Sequence, residues 1–280
     1  MADLEFKYEP TNFSYTPAMK KAFEDHGFFF VRGLLPQDEL QKLKSVVEGA
    51  EDFRKHSYTV DDGDGRQSRM VVFSYPGNDV TGMVSRSEKV AGMCEKIMGG
   101  EVYHYHTKVM MKDPFVGGRF MWHQDYGYWY NNGCLFPDMM TVYIAIDECR
   151  KENGCLQVLR GSHKCGRIEH KTVGGQHGAD MERVNEIAKV CPLDYAELKP
   201  GDAIYFHCNL LHMAPQNTGP NRRWTYLCCY NKATNDPVTE HHHPRYNKMH
   251  IVPDSAIMEC QNFTDMTGKE FMNPTDVVYK

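Results

Sequence analysis

The feature that most limits what this chain can fold into is a change of hydrophobic period near residue 100. Before it, apolar residues recur at helical spacing. After it they alternate, which puts successive side chains on opposite faces of a strand. In residues 140–147, Val142, Ile144 and Ile146 alternate with Thr141, Tyr143 and Ala145. Residues 155–159, 203–206 and 224–230 are short, rich in strand formers and bounded by turn signals, Asn153-Gly154 and Pro200-Gly201-Asp202 among them. Many short strands behind a helical block predict a mostly β protein, an antiparallel barrel or jelly roll with flanking helices.

In the first hundred residues, Leu40, Leu43, Val47 and Ala50 mark a helix that starts at Pro36 and carries Asp38 and Glu39 in its first turn. A second helix is predicted over 17–26, ended by Gly27 and followed by a buried strand over 28–31. A third covers 87–98 and stops at Gly99-Gly100. No repeat or Ser/Gly linker divides the chain. The expectation is one domain over 1–280, with helical support in 1–100, a β core in 101–235 and a C-terminal extension in 236–280.

A net charge of −5 offers no basic field for nucleic acid or an anionic membrane. No apolar run approaches the roughly 18 residues of a membrane span, and the N-terminus has no signal pattern. The ten cysteines contain no CxxC pair. They read as reduced thiols packed as small hydrophobes in a cytoplasmic protein.

Chemistry concentrates at His123-Gln124-Asp125. On one strand, an H-x-D pair turns an imidazole and a carboxylate to the same face. A third ligand is expected at His212, with His207 as the fallback. Two histidines and one carboxylate leave three metal positions open, the facial arrangement of non-haem Fe(II) oxygenases. Arg223, at the start of the strand WTYLCCY, is placed to fork onto the far carboxylate of 2-oxoglutarate. The run His241-His242-His243 lacks a thiolate or carboxylate that would close a zinc site and reads as a solvated loop.

With these residues in hand, the chain resembles the phytanoyl-CoA dioxygenase superfamily over roughly residues 20–235. The resemblance is carried by WHQD at 122–125, ENGCLQVLRGSHK at 152–164, LKPGDAIYFH at 198–207, and His212 with Arg223. It implies a double-stranded β-helix of the cupin-like kind, with Fe(II), 2-oxoglutarate and O2. It further implies His123, Asp125 and His212 at the metal, and Arg223, Thr141 and Asn217 at 2-oxoglutarate. Ala214 departs from the family, where many members place a serine. The presence of Asp125 favours a hydroxylase over the related halogenases, which carry a small residue there.

Residues 105–130 resemble the ectoine hydroxylase, 2-aminoethylphosphonate dioxygenase and proline 4-hydroxylase-like branch. By that analogy His106, Lys108 and Trp129 contact substrate. Tyr128 belongs to an aromatic cluster, with Tyr126, Trp129 and Tyr130, expected to wall the pocket. The function expected is hydroxylation of a small zwitterion: an amino acid, betaine or aminophosphonate. An acyl-CoA substrate and a non-catalytic metal-binding module are the alternatives. Residues 59–68 and 172–185 are the candidates for a lid.

Overall fold

The computed structural model describes residues 4–173 and 176–273. The first part of the chain runs β1 (Glu5–Lys7), α1 (Pro17–His26), β2 (Phe28–Arg32), α2 (Gln37–Gly49), α3 (Glu51–Lys55), β3 (Tyr58–Asp61), β4 (Gln67–Phe73) and α4 (Val80–Arg86). A π-helical turn, Glu88–Gly92, then leads into α5 (Met93–Met98). The second part runs β5 (Val102–Lys112), β6 (Phe120–His123), α6 (Asp125–Trp129), β7 (Met139–Ala145), β8 (Leu156–Leu159), β9 (His170–Val173) and β10 (Gln176–Ala179). It continues through α7 (Met181–Ala188), β11 (Leu193–Ala196), β12 (Ala203–His207), β13 (His212–Ala214), β14 (Arg223–Lys232) and α8 (Ala256–Glu259).

Eight strands form the larger sheet in the order β1-β2-β12-β7-β14-β5-β4-β3, and four form the smaller one, β11-β8-β13-β6. The hairpin β9-β10 stands beside them. Only the β1–β2 pairing is parallel among the described strands. Facing sheets of this kind make the jelly roll.

The period-two pattern decides what each face meets. On β14, Tyr226 and Tyr230 turn outward, and their hydroxyls donate to the Thr81 and Ser85 carbonyls of α4 at 2.9 and 2.5 Å. Arg223 and Leu227, of the opposite parity, face a cavity between the sheets. The core beneath the helices is apolar, with Phe29 stacked on Tyr205 at 4.9 Å.

Local signals account for the helix ends. Thr16 caps α1 by accepting from Met19 N at 3.2 Å, and Pro17 opens the helix. Gly27 closes it at φ 85°, and a Cβ there would lie 2.6 Å from His163 Nδ1. Pro36 is the N-cap of α2, so the helix begins at Gln37, one residue later than expected. Glu39 pairs there with the buried ammonium of Lys89.

One expectation needs correction. The first hundred residues supply four strands of the larger sheet as well as the helical support. Residues 59–68 form a hairpin: 59–61 end β3, 67–68 open β4, which pairs antiparallel with it, and 62–66 make the Asp/Gly-rich turn between them. The Asp and Gly residues belong to that turn, while Tyr58, Thr59 and Val60 favour the pleated edge. The second tract, 172–185, forms a hairpin and α7 in its described part, and residues 174–175 lie outside the described residues.

The C-terminal extension returns across the fold. Met272 N donates to Val72 O at 2.9 Å, and Phe271 packs on Phe53 and Phe73 at 6.0 and 5.8 Å. Lys269 and Asp79, both fully buried, pair at 2.7 Å, and Lys269 also donates to Thr81 Oγ1 at 2.9 Å. A buried pair strongly disfavours states in which one partner is left alone. The tail is thereby held against α4.

Candidate active site

The smaller sheet brings the candidate metal ligands to one end of the cavity. β13 lies antiparallel to β6 with His212 directly opposite His123. Their ring centroids are 4.1 Å apart. His212 Nε2 stands 3.9 Å from Asp125 Oδ1, and one donor atom from each of the three residues lies within 4.8 Å of the others.

Both rings are held by their far nitrogens. His123 Nδ1 bonds Met121 O at 2.7 Å, and His212 Nδ1 bonds Leu210 O at 2.8 Å. A carbonyl can only accept, so each Nδ1 carries the proton and each Nε2 keeps its lone pair. Burial, and then the neighbouring His212, push the His123 imidazole well below its ordinary pKa. Burial also lowers His212, against the opposing pull of Asp125. Two neutral imidazoles and a carboxylate fit a divalent iron with positions left open.

Asp125 reaches the site differently from the strand geometry expected of H-x-D. β6 ends at His123, and Asp125 is the first residue of α6. The chain leaves the strand because Gln124 N donates to His170 Nε2 at 3.0 Å, while the Gln124 side chain bonds Gly166 O, Asn209 O and Ile168 N. Asp125 Oδ2 then accepts from Thr141 Oγ1 at 2.9 Å. Thr141, expected at 2-oxoglutarate, is thus a partner of the carboxylate.

Gly127 lets α6 approach His170: a Cβ there would stand 2.1 Å from His170 Cε1. Gly127→Ala is therefore expected to displace His170, release Gln124 and move Asp125. Metal affinity should fall by about 10–100-fold, the usual cost of losing an outer-shell support. Calorimetric titration of anaerobic protein with Fe(II) checks this, and unchanged affinity would mean that His170 does not position the carboxylate.

The opposite wall carries a buried cation. Arg223 is 2% exposed, lines the cavity and donates to the Tyr143 hydroxyl, while its Nε has no hydrogen-bond partner among the described residues. No carboxylate pairs with it among the described residues. Lys112 lies nearby, its ammonium donating to Ala214 O at 3.1 Å and to Pro215 O. Burial and Arg223 push Lys112 well below its ordinary pKa. Arg222 turns outward to Glu48 and Asp147.

The remaining expected residues divide. His106, Lys108, Tyr128 and Trp129 all line the cavity, of about 410 Å³. Tyr126 is buried behind it and Tyr130 lies outside, so half of the aromatic cluster forms the wall. Asn217 does not reach it. Its side chain builds a turn, donating to Asp113 O and Asn221 O and accepting from Gly219 N. His207 faces away, beside Phe23 and His163.

The histidine run is corrected too: His242 and His243 line the cavity, and His243 stacks on His106. Tyr143 was missed, although it shares the alternating face of Thr141. Both lid candidates line the cavity, one through Thr59 and Asp61 and the other through Gln176. Gln176 Nε2 donates to Asp61 O at 3.0 Å and so bridges them.

A jelly roll that brings two imidazoles and a carboxylate together opposite a buried arginine is the framework of a 2-oxoglutarate-dependent oxygenase. The model of the phytanoyl-CoA dioxygenase family matches residues 23–225, and the chain belongs to that family. It is 28% identical to the L-proline trans-4-hydroxylase of Streptomyces griseoviridis, over 73% of this chain and 82% of that one. It is 25% identical to an ectoine dioxygenase of Stutzerimonas stutzeri, over 76% of each. Among solved structures it is similar to EctD from S. alaskensis with 2-oxoglutarate and 5-hydroxyectoine. There the TM-score is 0.69 at 19% identity, over 90% of this chain and 95% of that one. The non-haem α-ketoglutarate-dependent carbocyclase SnoK matches with a TM-score of 0.65 at 18% identity, over 92% and 96%. No helix among the described residues is long and apolar enough to cross a membrane.

Proposed function

We propose that this protein hydroxylates an unactivated C–H bond of a small zwitterion, consuming 2-oxoglutarate and O2 and releasing succinate and CO2. The observation that carries the reading is the convergence of His123, Asp125 and His212 within 4.8 Å in the cavity that also holds an acid-free Arg223. Bound iron with 2-oxoglutarate and O2 would supply the oxidising power for C–H cleavage. The protein's part is to bind, orient and exclude. His123 and His212 present Nε2 lone pairs, and Asp125, steadied by Thr141, adds a negative donor. Arg223 and Tyr143 take the far carboxylate of 2-oxoglutarate, the Tyr143 hydroxyl standing in for the serine absent at Ala214. Tyr128 and Trp129 close the substrate side. The relatives named for L-proline and ectoine act on small cyclic zwitterions, and a 410 Å³ cavity suits such molecules.

We read residues 1–280 as one catalytic domain, because residues from Tyr58 to Met272 line a single cavity. Seven of the ten cysteines are buried and all are free, which fits a reducing compartment, and we place the protein in the cytoplasm.

The test is succinate release by the Fe(II)-loaded protein across amino acids, betaines, aminophosphonates and acyl-CoAs. Stimulation by a zwitterion is expected. Stimulation by acyl-CoA alone would overturn the substrate class, and iron binding without succinate under any condition would overturn catalysis. In the same assay Tyr143→Phe should raise KM for 2-oxoglutarate by roughly 10–100-fold, as loss of a hydrogen bond to a charged group does. An unchanged KM would remove Tyr143 from the co-substrate site.

A further inference from the structure

The histidine run in the C-terminal extension is not used by the metal or by 2-oxoglutarate. It nevertheless forms part of the cavity wall. His243 lies over His106 of β5 with ring centroids 4.5 Å apart and planes 25° from parallel. His106 is fully buried, yet among the described residues neither of its ring nitrogens has a hydrogen-bond partner, and His243 Nδ1 is likewise buried and unpartnered. Trp129 meets His106 edge-on at 5.7 Å. Lys108, two residues along the same strand face, lines the same cavity and forms no ion pair among the described residues.

Ring packing alone does not account for this wall. Two phenyl rings would stack equally well without burying unpartnered nitrogens, which are destabilising. A second metal centre does not account for it either. Among the described residues, only His123, Asp125 and His212 bring three donor atoms together. What the wall lacks is an acceptor. Each neutral imidazole offers an N–H, and Lys108 adds a charge.

We infer that His106 and His243, with Lys108, bind the acidic group of the substrate, so that the C-terminal extension helps choose which small zwitterion is accepted. This rests on the proposed function and deepens it. Burial, and then the charges of Lys108 and the neighbouring histidines, push His106 well below its ordinary pKa, and burial with its histidine neighbours does the same for His243. Both rings therefore act as neutral donors. Lys108 lines the same cavity as the pair and as His123, Asp125 and His212. An acid held by these three groups would lie in the cavity that His123, Asp125 and His212 also line.

The experiment is nuclear magnetic resonance of the full chain carrying 13C-labelled histidine rings, with signals assigned through His106→Phe and His243→Phe. The probes are L-proline, acetate and methylphosphonate, against pyrrolidine and L-prolinamide. L-Proline and at least one other acid are expected to move the His106 and His243 signals, and pyrrolidine is expected to leave them in place. His243→Phe keeps the stacked ring and should weaken L-proline binding by about ten- to hundredfold. Lys108→Met, at a half-buried cavity position, should weaken it as well. If no acid moves either signal, or pyrrolidine moves them equally, the acid site is overturned. Succinate release measured in parallel separates the two ideas. Equal stimulation by L-proline in wild type and His243→Phe overturns the acid site alone. Ring shifts with no zwitterion stimulating release leave the acid site standing and overturn the proposed function.

Discussion

Asp125→Ala is expected to abolish 2-oxoglutarate turnover while leaving the protein folded. Asp125 is the first residue of α6, a position where alanine is tolerated. The fold loses only a favourable interaction with the helix N-terminus, about 0.3–1 kcal/mol, and the Thr141 hydroxyl loses one acceptor. The metal site loses its single negative donor. What remains is His123 and His212, two neutral imidazoles 4.1 Å apart between centroids, which cannot offset the charge of a divalent ion.

Removal of an outer-shell partner costs roughly 10–100-fold in metal affinity or activity, so loss of the ligand itself should exceed that range. Thr141→Ala supplies the comparison. It keeps the carboxylate, frees one of its oxygens and should fall inside the range. Fe(II) titration, succinate release and a thermal melt on all three proteins settle the order. Near-wild-type iron affinity and turnover in Asp125→Ala would remove this carboxylate from the metal site.

His123, His212 and Arg223 could be proposed from sequence because strand periodicity ties a side chain's direction to its place in the chain. A histidine just beyond one strand and an arginine opening another leave little freedom in where they point. Asp125 was identified with the wrong geometry. The strand ends at His123 because Gln124 bonds His170 and the loops around it, partners that no local pattern around residue 125 records.

Tyr143 was visible on the same alternating face as Thr141, but a tyrosine in an apolar strand is ordinarily core, and only the neighbouring Arg223 gives its hydroxyl a task. His243 was read as solvated because its partner, His106, is distant in sequence, and only the return of the C-terminal extension brings them together. Asn217 shows the opposite failure. It matched the family position, yet its amide is engaged in a turn and stands outside the cavity lining.

Arg223→Met should separate binding of 2-oxoglutarate from binding of iron and reverse the usual sign of a core mutation. In the free protein the guanidinium is buried with its Nε unpartnered, no carboxylate faces it among the described residues, and Lys112 crowds it. A buried charge without its counterion is a cost to folding. Methionine fills similar volume without it, at the expense of one hydrogen bond to Tyr143, about 1 kcal/mol. The thermal midpoint without 2-oxoglutarate should therefore hold or rise. With 2-oxoglutarate the order inverts. Wild type gains the stability that a ligand bound only to the native state confers, and the variant gains almost none.

Truncating one side of a buried charge pair costs about 2–5 kcal/mol. KM for 2-oxoglutarate should thus rise by roughly 30- to several-thousand-fold, with Fe(II) affinity unchanged. Melts with and without 2-oxoglutarate, beside an iron titration, read all three quantities. A large drop in the ligand-free midpoint would mean that the protein already compensates the arginine. A ligand-induced rise equal to that of wild type would place 2-oxoglutarate elsewhere. The joint outcome expected, a fold no weaker and a co-substrate site lost, follows if the cavity stores an uncompensated positive charge that only the incoming dicarboxylate relieves.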